Sequence, residues 1–184
     1  MKDKIYFATG NKGKAREVEQ ILGVDIEVAD MDLDEIQSED LKAIVKHKLA
    51  QAYEKLKSPV IVDDVSLEMD IWDKFPGPFV KHLHGKDTSR MLYMLRNETN
   101  RNATMISTVG YHDGKKMHCF TGKLRIRIAD KNYGDGGWGL DPILVPLGQD
   151  KSFAQMTEAE KNADSHRTRA LLMLKRFLKT QNKL

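Results

Sequence analysis

Two rhythms of apolar residues alternate along this chain. Ile5-Tyr6-Phe7-Ala8 is a short continuous apolar run that stops at Thr9-Gly10-Asn11. From Lys14 onward, Ala15, Val18, Ile21 and Leu22 recur at the three- and four-residue spacing of a helix face. Strand, polar turn and helix are therefore expected, with Gly23 closing the helix and Ile26-Glu27-Val28 forming a second strand. After a polar stretch, Leu41, Ile44, Val45, Leu49, Ala52, Tyr53 and Leu56 mark a longer helix that ends before Pro59. Val60-Ile61-Val62 is a β-branched run suited to a strand buried on both faces, and the expectation is that Asp63-Asp64 stand at its C-terminal end.

The middle of the chain changes character. Phe75-Pro76-Gly77-Pro78-Phe79 reads as a constrained loop, and a short helix is expected over residues 89–96. Residues 103–111 and 116–120 flank His112-Asp113-Gly114-Lys115, where Asp-Gly signals a hairpin. Leu124-Arg125-Ile126-Arg127-Ile128 alternates with period two, as in a strand with one solvated face. A glycine-rich loop (Gly134, Gly136, Gly137, Gly139) leads to Asp141-Pro142 and the apolar run Ile143-Leu144-Val145. Thr157 to Glu160 has the form of a capping box, and Ala170, Leu171, Leu174, Phe177 and Leu178 mark a terminal amphipathic helix. The pattern is that of one α/β domain over residues 1–184, with the β-rich part near 100–130 contributing to a second lobe.

Composition narrows the class. A chain of 184 residues, 40% hydrophobic, is long enough to bury a core and too apolar to remain disordered. A lone Cys119 excludes an intrachain disulfide framework and suits a reducing compartment. No apolar run approaches the roughly 18–20 residues of a membrane span. The start, Met1-Lys2-Asp3-Lys4-Ile5, has no signal-peptide core, so a cytoplasmic protein without membrane association is expected. The formal charge of +3 hides an asymmetry: residues 30–40 carry Asp30, Asp32, Asp34, Glu35, Glu39 and Asp40 with no base, whereas residues 161–184 are strongly basic. Most such charges face water; a subset can serve a metal and an anion.

Three segments carry candidate chemistry. Thr9-Gly10-Asn11-Lys12-Gly13-Lys14 joins a strand to a helix start with two glycines and two lysines, a setting in which backbone N–H groups can approach phosphate, although neither the P-loop spacing nor a G-x-G-x-x-G fingerprint is present. Asp63-Asp64 beside a buried strand calls for a compensating cation, and a hard cation such as Mg²⁺ takes carboxylates together with phosphate oxygens; Glu35 is a further candidate ligand. In Lys161 to Arg169, His166 and Arg167 fall in the first turn of the terminal helix if Asp164 or Ser165 caps it. The helix dipole disfavours cations there, which suggests a bound anion. The pairs His82/His84 and His112/His118 lack acidic or thiol companions at metal spacing and read as surface or core residues.

Taken together, the segments resemble the inosine triphosphate pyrophosphatase, or Ham1-like, family from Ile5 to Leu172. The pieces are ATGNKGKAREVEQIL from Ala8, VDD at Val62 to Asp64, FPGPFVK from Phe75, GWGLDPILVP from Gly137, FAQM from Phe153 and EKNADSHRTRAL from Glu160. The resemblance implies an elongated mixed central sheet flanked by helices, with two lobes around a substrate cleft, assembled as a homodimer. It implies hydrolysis of ITP, dITP and XTP to the monophosphate and pyrophosphate, with Mg²⁺ as cofactor and Mn²⁺ as a substitute, and no nucleic-acid partner. Carried over by position, Thr9, Gly10, Asn11, Lys12, Gly13 and Lys14 would hold the triphosphate. Glu35 and Asp64 would bind the metal, and Asp64 would act as general base. Lys46, Asp63 and Lys81 would complete the phosphate and metal surroundings, with Asp63 a further metal ligand. Trp138, Gly139, Leu140, Asp141, Lys161, His166 and Arg167 would surround the base and triphosphate.

Two motifs depart from the family pattern. Val65 stands where a hydroxyl residue usually follows the paired acids, so any substrate contact there would come from its backbone. Trp138 and Leu140 replace the usual Phe and second aromatic of the later motif; Trp138 can still stack on a purine. The competing readings are a Maf-like pyrophosphatase with another base preference, an RNA-binding module using the basic tail, and a nucleotide sensor with weak catalysis. The tail lacks the clustered aromatics of a stacking platform for RNA.

Overall fold

The computed structural model describes residues 4–23, 26–84 and 87–183; the Met1-Lys2-Asp3 start and the His84 side chain lie outside the described residues. The strands are β1 (Ile5–Ala8), β2 (Ile26–Ala29), β3 (Val60–Met69), β4 (Pro76–Gly77), β5 (Asn102–His112), β6 (Met117–Ile128) and β7 (Leu144–Pro146). The helices are α1 (Lys12–Leu22), α2 (Leu41–Leu56), α3 (Val80–His84), α4 (Ser89–Met94), α5 (Glu158–Ala163) and α6 (His166–Thr180), with 3₁₀ turns at Asp141–Ile143 and Phe153–Gln155. The sheet runs β2-β1-β3-β5-β6-β7, with β4 paired to β3. It is mixed: β1 lies parallel to β2 and β3, while β4 and β7 run antiparallel to their neighbours. Among the described residues no helix is long and apolar enough to cross a membrane.

The chain divides into two compact units. One gathers the chain up to Asp64, Ser107–Gly122 and the chain from Arg167 onward; the other is Val65–Ile106 with Lys123–His166. The β-rich stretch near 100–130 is therefore shared, because β3, β5 and β6 each have residues in both units.

In the first unit, α1 lays Ala15, Val18, Ile21 and Leu22 against Ile5, Phe7, Ile61 and the Ala170, Leu171, Leu174 and Leu178 face of α6. Its ends follow from local chemistry: Asn11 caps the start, and Gly23 closes the helix at φ 62°, a left-handed conformation that glycine adopts without steric penalty. The expected loop is therefore shorter, since Lys12 to Lys14 already belong to the helix. The helix α2 starts under the Asp40 side chain, which accepts from Lys42 N at 2.8 Å, and buries Val45, Leu49 and Ala52 against Ala8, Val60 and Val62. Gly110 in β5 is required by this packing, because a Cβ there would lie 2.7 Å from Val45 Cγ1.

In the second unit, Leu124, Ile126 and Ile128 of β6 are buried while Arg125 and Arg127 are exposed, as the period-two pattern requires. They pack with Leu67, Met69, Met91, Leu95, Leu140, Ile143 and Phe153.

One expectation is corrected. The strand does not end at Asp63-Asp64: β3 continues to Met69, so both acids stand mid-strand. Tyr6 and Phe7 pair with Val60 and Ile61, and β1 ends at Ala8, so its parallel neighbour stops just before the level of Asp63. Alternation along β3 then sends the two carboxylates to opposite faces.

Candidate functional site

On one face of β3, Asp63 enters a buried cluster built entirely from the first unit. Lys14 Nζ lies 2.8 Å from Asp63 Oδ1 and donates to the Asp63 carbonyl at 3.2 Å. Arg167 Nε donates to Asp63 Oδ2 at 2.8 Å, and Arg167 Nη1 donates to Glu17 Oε2. The Asp63 and Arg167 side chains are 0% and 1% exposed. Burial by itself pushes the Asp63 pKa up, but the charges and hydrogen bonds of Lys14 and Arg167 outweigh it and hold the carboxyl well below the usual range. Burial opposes the Arg167 charge as well; Asp63 and Glu17 together raise its pKa above the ordinary arginine value.

This geometry gives two of the sequence-predicted residues partners within the protein. The Asp63 carboxylate, a candidate metal ligand, is engaged by Lys14 and Arg167, and Arg167, a candidate for the anionic substrate, bonds Asp63 and Glu17. Glu17 escaped the sequence reading although it lies four residues before Ile21 on the apolar side of α1, and an acid there signals a buried cation.

At the start of α1, Asn11 Oδ1 accepts from Gly13 N at 2.9 Å and Lys14 N at 3.1 Å, and Thr9 Oγ1 accepts from Asn11 N at 3.1 Å. Three of the N–H groups expected to face phosphate thus have internal acceptors. Lys12 is exposed, and Gly10 sits close to Asp30, whose Oδ1 would lie 3.0 Å from a Cβ at that position.

On the other face of β3, Asp64 meets the acidic stretch. Lys48 Nζ donates to Asp64 Oδ2 at 2.8 Å and also to Glu35 Oε1, so one ammonium lies between the two carboxylates. The helix α2 positions this group: Gln51 exchanges two 3.0 Å hydrogen bonds with the backbone of Asp34, and Lys55 Nζ donates to the Asp32 carbonyl at 2.6 Å. Positions 48, 51 and 55 share one helix face and hold the loop that presents Glu35. The lysine that meets these carboxylates is therefore Lys48; Lys46 is exposed, and its charge bears on Cys119, whose thiol pKa burial raises.

Among the described residues no group of three or more His, Cys, Asp and Glu side chains could hold a metal. Glu35 and Asp64 nevertheless converge on a single positive charge. Two carboxylates suit Mg²⁺, which completes its shell with water and substrate phosphate oxygens.

The second unit holds the other sequence-predicted residues. Asp141, 5% exposed, accepts from Trp138 N at 2.8 Å and from Lys161 Nζ at 2.6 Å. The same ammonium lies 5.3 Å from the Trp138 ring centroid and 5.5 Å from that of Phe153. Aromatic faces and a carboxylate thus surround the buried Lys161 charge. Leu140 is buried in the core, Gly139 is exposed at φ 63°, and Trp138 is half-buried. His166 is 5% exposed in the first turn of α6, Val65 is half-buried, and Lys81 is exposed on α3.

Gly137 makes this cluster possible. At φ 70°, a Cβ there would press on the Asp141 carboxylate, with Cγ at 2.8 Å. Gly137→Ala is expected to destabilise the protein by about 1–3 kcal/mol and to shift Trp138 fluorescence as the loop moves. Thermal melts followed at the tryptophan emission would check it.

With this geometry in hand, the relatives are informative. The model of the Ham1 family matches residues 5–177. A dITP/XTP pyrophosphatase of Methanopyrus kandleri is 41% identical over 173 residues, 91% of this chain and 92% of that one. An inosine triphosphate pyrophosphatase of Kluyveromyces lactis is 35% identical over 188 residues, 96% of each chain. The solved Ham1 protein of Staphylococcus aureus matches the fold with a TM-score of 0.80 at 27% identity, over 97% of this chain and 99% of its own. Ordered motifs, mixed sheet and relatives agree: the chain belongs to the Ham1 family.

Proposed function

We propose that this chain hydrolyses ITP, dITP and XTP to the nucleoside monophosphate and pyrophosphate, using Mg²⁺ or Mn²⁺ held by Glu35 and Asp64. The observation that carries the reading is the convergence of these two carboxylates on one ammonium. The names of the relatives support the substrate class.

In this reading a water oxygen attacks the α-phosphorus, the bond to the oxygen bridging the α and β phosphates breaks, and pyrophosphate leaves. Asp64 takes the water proton as general base. The bound metal supplies charge neutralisation on the triphosphate and lowers the pKa of water. Thr9, Gly10, Asn11, Lys12, Gly13 and Lys14 bind phosphate oxygens, with Lys12 already exposed. Trp138 stacks on the purine, and Lys161, fixed by Asp141, borders it. Donors aimed at a 6-oxo group would be left unpaired against the amino group of adenine, which penalises ATP. The reading includes a cytosolic homodimer; the half-buried lone Cys119 suits that compartment.

The test is a panel of ITP, dITP, XTP, GTP, ATP and dUTP with Mg²⁺ and separate assays for pyrophosphate and orthophosphate. Pyrophosphate release from the first three is expected at a kcat/KM about 100-fold above that for ATP. Orthophosphate as the only product, or preference for dUTP, overturns the reading.

A further inference from the structure

Lys48 occupies an unusual position for a residue that sequence reasoning passed over. Its ammonium bonds Asp64 Oδ2 at 2.8 Å and bonds Glu35, the two groups proposed to hold the metal. Its side chain is 13% exposed, against 17% for Asp64 and 31% for Glu35, so water screens the three charges only in part. Nor is this a loose surface contact, because Gln51 and Lys55 of the same helix fix the backbone that carries Glu35.

We infer that Lys48 is a resident counter-cation: it neutralises Glu35 and Asp64 in the free protein and competes with the divalent metal for them. Two carboxylates brought together without a cation repel each other, and the ammonium removes that cost. A metal ion that takes Glu35 Oε1 and Asp64 Oδ2 displaces Lys48, whose four-carbon side chain can swing while the loop stays pinned by Gln51 and Lys55. The displaced ammonium is then available to the anionic triphosphate that arrives with the metal. The metal-competent state of the free protein is therefore a minor one, and apparent metal affinity falls by its fractional population. Metal and nucleotide binding become mutually favourable, since each offers a new partner to a group the other has released. This inference rests on the metal site proposed above, and the experiment separates the two.

Mn²⁺ is titrated into the nucleotide-free full chain by calorimetry and by electron paramagnetic resonance, for the wild type, Lys48→Met, Lys48→Gln and Lys48→Arg, with Glu35→Gln and Asp64→Asn as site controls. The two neutral variants are expected to bind Mn²⁺ about 10–100-fold more tightly than the wild type, and Lys48→Arg to stay near it. In chelator the neutral variants melt at lower temperature, and Mn²⁺ raises their Tm more than that of the wild type. Neutral variants that bind Mn²⁺ no more tightly than the wild type, while Asp64→Asn weakens binding, overturn the role of Lys48 and leave the metal site standing. Binding that neither Glu35→Gln nor Asp64→Asn alters overturns the metal site and this inference with it.

Discussion

Replacing Asp64 with Asn is expected to lower kcat for pyrophosphate release by about 10²–10⁴-fold, the range for losing a positioned general base. The amide keeps the shape of the side chain and can still accept from Lys48, which also retains Glu35 as a partner. Stability should therefore change by no more than about 1 kcal/mol, the scale of a partly exposed ion pair. Steady-state kinetics on ITP with Mn²⁺ or Mg²⁺ in excess, beside a thermal melt, check both halves. Full activity would remove Asp64 from the proposed role. A large fall in Tm would mean that the carboxylate serves the fold, which its partial exposure and its position facing Lys48 argue against.

The contrast with the preceding residue shows what the sequence can and cannot convey. Val60-Ile61-Val62 announces a buried strand, and two acids after it look like its end, because charge in a strand interior is costly. The strand continues because each acid finds cations on its own face: Lys14 and Arg167 for Asp63, Lys48 for Asp64. Arg167 is 104 positions from Asp63, and no local pattern foretells that pairing. The physical rule that draws an anion to the basic start of α6 is met within the fold by Asp63 and Glu17. Lys48 was more accessible to reasoning. It lies three and four residues from Val45, Ile44 and Ala52, and so borders the buried stripe of α2, whereas Lys46 has only Leu49 as such a neighbour. Helix phase thus distinguishes the two lysines, and spacing along the chain does not. The fold class, helices α1, α2 and α6, the hairpin at Asp113-Gly114 and the capping box at Thr157 are set by local periodicity and turn chemistry, which is why they were legible.

Asp63→Asn is expected to have the opposite signature: a loss of about 3–5 kcal/mol in stability, the range for breaking a buried pair by removing one partner. Against the 5–15 kcal/mol typical of a folded domain, such a loss lowers the urea midpoint by roughly 1–2 M. The cost arises less from the missing carboxylate than from Arg167 and Lys14, which keep their charges after losing the carboxylate they share. Arg167→Met together with Asp63→Asn should accordingly cost less than the sum of the two single changes, and a double-mutant cycle reads the difference as coupling. The pH dependence supplies an independent check. The folded pKa of Asp63 lies below its unfolded value near 3.9, so the contribution is complete above roughly pH 4–5 and fades as acidity rises toward the lower folded value. The stability gap between wild type and Asp63→Asn should thus be widest near neutrality and shrink below about pH 4. A gap that held constant down to pH 2 would overturn the electrostatic account of the Asp63–Arg167 pairing.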